Sequence, residues 1–287
     1  MAQSKRVIND TAEQVIQTLG INNYQFAPYG RNNWVFLTET ECISIPRNPN
    51  KVSYSIRVAA IRHFKEHNIP TTPLIDHGFV NGIEYIITQR LNATNINVNS
   101  LTFSEAEHVH AQCGHWLKII HNTSAKNAGR LNSELIGSHK SWQYFVEDYF
   151  NISLRRLSAD TELYQKYGKV FCERFNKMSF SNKAVFLHGD YHIGNILFEG
   201  ITLSAIIDLD IVMSGDPLWD LGHYQRTYNT GRPRGNIAFL KGYGIEIDQE
   251  MATNYAMIIW ARKLASQAES RRLALSETIE ELERILK

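Results

Sequence analysis

A small β-rich lobe followed by a larger, mainly α-helical lobe, an α+β architecture, is what this 287-residue chain predicts. Three observations carry that expectation. The first third alternates short runs of β-branched and aromatic residues with turn residues. A polar, asparagine-rich stretch, NATNINVNS at 92–100, then reads as a crossing between lobes. Beyond it the apolar residues recur with helical spacing. The lobes are therefore set at 1–91 and 92–287.

Residues 11–19 form a helical run, with Asn9 or Asp10 as cap and Gly20 as stop. Strands follow at 24–27, 34–38 and 42–45. Asn50 is the expected cap of a helix over 52–65, whose Ile56, Ala59, Ala60 and Phe64 make a buried stripe. Strands at 74–80 and 83–88 flank Asn81-Gly82, the preferred dipeptide of a tight hairpin. In the second lobe, Thr102-Phe-Ser-Glu105 opens a long helix as a capping box, with Val109, Cys113, Trp116 and Ile120 on one face. Helices are expected at 141–157 and 160–178. Asp216 caps a further one through Tyr228, with Pro217 at its first position, and the last forty residues are helical.

Composition narrows the class. Apolar residues make up 43% and charged residues 21%, which suits a globular protein and argues against disorder. With 30 basic and 29 acidic residues, net charge is +1, so there is no electrostatic reason to expect a nucleic acid partner. No run has the length of a signal-peptide core or a membrane span, and a cytoplasmic protein without membrane attachment is expected. Oligomeric state is not readable. Cys42, Cys113 and Cys172 are widely spaced, as inert thiols in a reducing compartment would be. Of the eleven histidines, His108 and His110 lie two apart on a helix and share no face, and H-E-x-x-H is absent. A zinc site is not expected.

The most informative passage is His188-Gly189-Asp190-Tyr191-His192-Ile193-Gly194-Asn195, followed by Ile206-Ile207-Asp208. It spaces a carboxylate, an amide and a second carboxylate as phosphoryl transfer from a magnesium nucleotide requires. A strand at 186–187 enters the loop, and a hairpin of 196–198 and 204–207 leaves it, returning Asp208 to the side of Asn195. An amide oxygen and a carboxylate then share one hard cation, while Asp190 accepts the proton of an attacking hydroxyl. Individually, each residue reads equally well as a cap or a turn. Their joint spacing favours catalysis.

HGDYHIGNILF with IIDLD resembles the H-G-D-x-x-x-x-N and I-D-x-[DEG] pattern of the aminoglycoside phosphotransferase and choline kinase family, small-molecule kinases with a protein-kinase-like fold. Gly215-Asp216-Pro217-Leu218-Trp219-Asp220-Leu221 is similar to that family's G-D-P-x-x-D-L-A segment. The resemblance is specific over 184–224 and loose over 24–92. It implies Asp190 as catalytic base, Asn195 and Asp208 as Mg2+ ligands, Asp220 as buttress of the catalytic loop, and His188 as the ring that positions the loop backbone. Asp210 is then a second-metal ligand, a substrate contact or a solvated carboxylate. It also implies that 1–91 binds nucleotide and that 92–287 carries catalysis and the acceptor.

The small lobe departs from that pattern. The phosphate-covering turn is Pro28-Tyr-Gly-Arg-Asn-Asn33, so backbone amides from Gly30 through Asn32 to Asn33 are the candidates there. The family's strand lysine falls at Ser44 and its helix glutamate at Arg57, so the second member of the pair has changed sign. Either Arg57 reaches the α- and β-phosphates, or it is exposed and Lys51, Arg47 or Arg31 takes that role. Backbone groups of Thr88, Gln89 and Arg90 are the candidates for the nucleotide base, ATP or GTP. The acceptor is a small hydroxyl compound. Acidic candidates to bind it are Asp210, Asp216, Asp248, Glu250 and Glu269, and aromatic ones Tyr191, Trp219, Tyr224 and Trp260.

Three readings of the whole chain follow. The leading one is a kinase that phosphorylates a small acceptor, an antibiotic such as an aminoglycoside among the options. A metabolic kinase of the choline or sugar type, or a kinase-fold protein that keeps nucleotide without turnover, are the alternatives. A metal-dependent phosphatase lacks the covalent-aspartate or histidine-cluster signature. A protein acceptor is disfavoured because no long activation segment follows Asp208.

Overall fold

The computed structural model describes residues 10–27, 32–49, 53–181, 184–228, 233–244, 249–270 and 275–286. Its first lobe contains α1 (Asp10–Thr18), β1 (Gln25–Ala27), β2 (Asn33–Leu37), β3 (Glu41–Pro46), α2 (Ser55–Glu66), β4 (Leu74–Val80) and β5 (Ile83–Gln89). The strands make one antiparallel sheet in the order β1-β2-β3-β5-β4. Alternation along each strand gives the sheet two apolar faces. Trp34, Phe36, Ile43, Ile45, Tyr85 and Ile87 pack against Ala12, Val15 and Ile16 of α1. Ile86 points the other way, into the core that includes Val58, Ile61 and Phe64 of α2. Asn81 and Gly82 both take positive φ, 49° and 77°, as the tight hairpin requires.

The expected cap Asn50 lies outside the described residues, and α2 begins at Ser55. A carboxylate from the sheet serves its first turn instead, with the Tyr54 N–H donating to buried Glu84 Oε2 at 2.8 Å.

The second lobe runs through a short 3₁₀ turn (Val98–Ser100), α3 (Phe103–His121), β6 (Ala128–Leu131), β7 (Gly137–His139), α4 (Trp142–Leu157), α5 (Thr161–Phe175) and β8 (Val185–Leu187). It continues with β9 (Ile196–Glu199), β10 (Thr202–Ile206), β11 (Met213–Gly215), α6 (Leu218–Tyr228), α7 (Pro233–Tyr243), α8 (Gln249–Ser270) and α9 (Leu275–Leu286). The capping box at Thr102 and Glu105 is formed. This lobe also holds a four-stranded sheet, order β7-β6-β11-β8, that the sequence did not announce. Its central strand β11 pairs with β6 and with β8, joining the loop after the hairpin to the strand that feeds the catalytic motif. Helix α7, also unexpected, packs backbone to backbone on α3. A Cβ on Gly114 would stand 2.0 Å from the Phe239 carbonyl, and one on Gly242 2.0 Å from that of Ala111.

The lobes meet through the chain that follows the hairpin. Ile206 N–H donates to Pro70 O at 2.9 Å, and the Thr71 hydroxyl donates to Ile206 O at 2.8 Å. The crossing segment pairs Thr94 with Phe198, and Asn95 donates to Gly194 O at 2.8 Å. Among the described residues no helix is long and apolar enough to cross a membrane.

Candidate active site

Strand β8 ends at Leu187 and hands the chain to His188-Gly189-Asp190. Gly189 has φ +86°, and a Cβ there would stand 2.2 Å from the Ile211 carbonyl oxygen. Both strain and contact exclude a side chain. Gly189→Ala is therefore expected to lower stability by about 3 kcal/mol or more, read from urea unfolding midpoints. A midpoint like that of the parent would show that the loop relaxes freely.

Asp220, from the first turn of α6 and fully buried, accepts the His188 N–H at 2.7 Å and the Gly189 N–H at 2.9 Å. Burial alone would push its carboxyl up. The His121 hydrogen bond and charge lead the effects that outweigh burial and hold it below its ordinary value. The loop is thus tied to α6 by an ionised carboxylate on two backbone donors.

His188 acts along the backbone in both directions. Its Nε2 donates to Ile207 O at 2.9 Å, and its Nδ1 accepts the Asp190 N–H at 3.3 Å. One ring therefore fixes the residue before Asp208 relative to Asp190. Asn195 completes the link, donating from Nδ2 to Asp190 O at 3.0 Å while its own carbonyl accepts Ile207 N–H at 2.9 Å. Asp190, Asn195 and Asp208 are brought together by these bonds.

The Asp190 carboxylate lies between two imidazoles, His223 Nδ1 at 3.2 Å and His192 Nε2 at 3.6 Å. Burial raises its pKa, but the two histidines overcome that and hold it well below the usual carboxylate range. Neither histidine was singled out by sequence reasoning, and His223 lies outside the motif altogether.

Asp208 is in the left-handed region, φ 65° and ψ 53°, an unusual conformation for a residue other than glycine. Its surface is exposed, yet nearby protein desolvates it in part. That partial desolvation raises its pKa first, and the charge of Asp210 adds to it, with Arg57 opposing. Asp210, read as a second-metal ligand, a substrate contact or a solvated carboxylate, has both oxygens on Arg57, one from Nε and one from Nη2.

Arg57 is not the exposed residue of one sequence expectation: its side chain is only 14% accessible. Burial works against its charge, yet Asp210 outweighs that and raises its pKa further. With its amide oriented to satisfy its neighbours, Asn33 accepts from Arg57 Nη2 at 3.2 Å and donates to the Tyr54 hydroxyl at 2.8 Å. Cys42 feels the Arg57 charge and has Thr88 and Ser44 as hydrogen-bond partners, so these four residues share one face. Arg47, a rival cation, lies over the Trp34 ring at 3.6 Å. Gly30, Arg31 and Lys51 lie outside the described residues. The Asn32 carbonyl accepts Arg47 N–H at 2.8 Å.

Of the candidates for the base, Gln89 N–H donates to Pro73 O at 2.8 Å and Arg90 N–H to Thr40 O at 2.7 Å. Both of these N–H donors are engaged within the lobe. The next N–H, that of Leu91, has no acceptor among the described residues. The aromatic acceptor candidates are also corrected. Tyr191, Trp219, Tyr224 and Trp260 are buried in the core, because each fills a helix–helix or helix–sheet contact. Asp216 is buried as well and caps α6, accepting Leu218 N–H at 2.9 Å. Asp248 lies outside the described residues.

The model of the APH phosphotransferase enzyme family matches residues 30–253. The chain belongs to that family. No curated protein sequence matches this phosphotransferase significantly. Its fold is similar to that of a thermostable mutant of aminoglycoside phosphotransferase APH(4)-Ia in ternary complex with AMP-PNP and hygromycin B, with TM-score 0.71 and 15% identity over 97% of this chain and 98% of that one. It is also similar to a choline/ethanolamine kinase family protein from Mesorhizobium loti, with TM-score 0.68 and 14% identity over 96% and 97%. The GDP complex of aminoglycoside 2'-phosphotransferase-IIIa gives TM-score 0.71 and 11% identity over 96% and 97%. The protein-kinase-like, two-lobed α+β fold expected from the motif is thereby established.

Proposed function

We propose that this phosphotransferase moves the γ-phosphoryl group of ATP or GTP to a hydroxyl of a small acceptor. The observation that carries this reading is the hydrogen-bonded linkage of Asp190, Asn195 and Asp208 through His188 and Ile207. Asp190 takes the hydroxyl proton, and the loop fixed by Asp220 holds it at the acceptor.

The donor set suits a hard cation. Asn195 Oδ1 accepts no hydrogen bond among the described residues, and Asp208 carries an unfavourable concentration of negative charge. Asn195 and Asp208 would hold Mg2+, which neutralises phosphate charge when bound. Arg57 faces the α- and β-phosphates, and Leu91 N–H meets the base. The acceptor is drawn from the aminoglycoside-like compounds bound by similar folds or from choline- and sugar-type alcohols. The balanced overall charge favours no strongly cationic member.

Nucleoside diphosphate release, measured with ATP and with GTP against amino sugars, macrolides, choline-like amines and sugars, tests the reading. Turnover above the acceptor-free rate with one class supports it. Tight nucleotide binding with no turnover on any acceptor favours the nucleotide-binding alternative.

A further inference from the structure

The end of α2 carries His63 and Glu66, with His67 as its C-cap, and the spacing i, i+3, i+4 places the three on one face. One ring nitrogen of each histidine and one Glu66 oxygen lie within 4.8 Å of one another. The two ring centroids are 4.3 Å apart.

Hydrogen bonding determines both tautomers. The Thr123 hydroxyl donates its one proton to Ile120 O at 2.8 Å, so it must accept at its 2.9 Å contact with His63 Nε2. His63 is therefore protonated on Nε2. His67 Nδ1 stands 2.9 Å from the His63 carbonyl, which only accepts, so His67 is protonated on Nδ1. Lone pairs remain on His63 Nδ1 and His67 Nε2, and no donor reaches either among the described residues. Glu66 likewise has no hydrogen bond or ion pair among the described residues.

An imidazole whose other N–H is pinned by a hydroxyl or a backbone carbonyl is the supported form of a metal ligand. His63 is held further by stacking on Phe186, 4.4 Å between centroids and 11° between planes. Core packing alone accounts for buried His63. Helix spacing sets exposed Glu66 and His67 beside it.

The geometry points to a binding site for one divalent transition-metal cation of the zinc type, ligated by His63 Nδ1, His67 Nε2 and a Glu66 oxygen, with water completing the shell. Two imidazoles and a carboxylate select such a cation over magnesium. The site differs in donor type from the all-oxygen set of Asn195 and Asp208. The cation braces the end of α2 opposite Arg57.

Zinc titration by calorimetry of the whole chelator-stripped chain, with magnesium and ADP in millimolar excess to fill the oxygen site, tests this. One zinc per chain is expected with a dissociation constant of about 1 µM or below. Thermal unfolding should shift upward with zinc concentration. His67→Ala and Glu66→Gln, both at exposed positions, should each weaken binding at least tenfold and remove the thermal shift. Asp208→Asn should leave both unchanged. An unaltered isotherm in His67→Ala and Glu66→Gln, or no stoichiometric zinc in the parent chain, overturns the assignment.

Discussion

Asp190→Ala is expected to lower kcat by about a thousandfold while nucleotide affinity stays within about threefold. The reasoning is geometric. The Asp190 backbone is fixed on both sides, by His188 and by Asn195, and the charge of its carboxylate is maintained by His192 and His223. Its own N–H and carbonyl make the bonds to His188 and Asn195, so removing the side chain leaves those bonds and the tie to Asp220 in place. Asp190→Asn sharpens the test. Asparagine fills the same space and still engages the two histidines, but it accepts no proton. If Asp190 serves as base, asparagine should be as inactive as alanine. Substantial turnover by either variant, measured as acceptor-dependent diphosphate release, removes its assigned role.

How much of this was readable beforehand varied with range along the chain. The hairpin at Asn81-Gly82, the capping box at Thr102 and the strand–loop–hairpin around Asp190 are local patterns, and all three formed as expected. The second sheet was not readable. Its strands β6, β7 and β11 are only three or four residues long, include glycines, and gain stability from partners as distant as Arg130 and Met213. A stretch such as Met213–Gly215 has no periodicity to detect. Helix α7 was missed for a related reason, since its backbone contact with α3 depends on Gly114 meeting Phe239 and Gly242 meeting Ala111 across the fold.

The site shows the same division. Asp190, Asn195, Asp208 and Asp220 sit in motifs whose spacing is itself the signal. His223 is a single histidine on a helix until the fold sets it 3.2 Å from Asp190. The spacing of His63, Glu66 and His67 was visible in sequence, but their ligand character depends on tautomers set by Thr123 and a helix carbonyl. Asp210 was ambiguous because its partner, Arg57, is 153 residues away.

Arg57→Ala is expected to raise the nucleotide KM at least tenfold, equivalent to about 1.4 kcal/mol, with a smaller change in kcat. Protein kinases anchor a phosphate-binding lysine on a strand with a glutamate on a helix. Here the strand position is Ser44, and the helix position supplies the cation. In the proposed arrangement Asp210 is its anchor, holding two N–H groups of the guanidinium and leaving the other nitrogen for phosphate. The cation–anion pair is thus kept while both partners have moved. Three measurements separate this from a purely structural ion pair. Asp210→Ala should raise the nucleotide KM, yet add little in the Arg57→Ala background, since the two act as a unit. If Asp210 bound magnesium instead, its loss would shift the magnesium dependence whether or not Arg57 were present. The double variant Ser44→Lys with Arg57→Glu re-creates the strand lysine and helix glutamate, and should recover nucleotide affinity relative to Arg57→Glu alone. An unchanged KM in Arg57→Ala, with the protein folded, would end the proposal, because a cation facing the phosphates cannot be removed without weakening their binding.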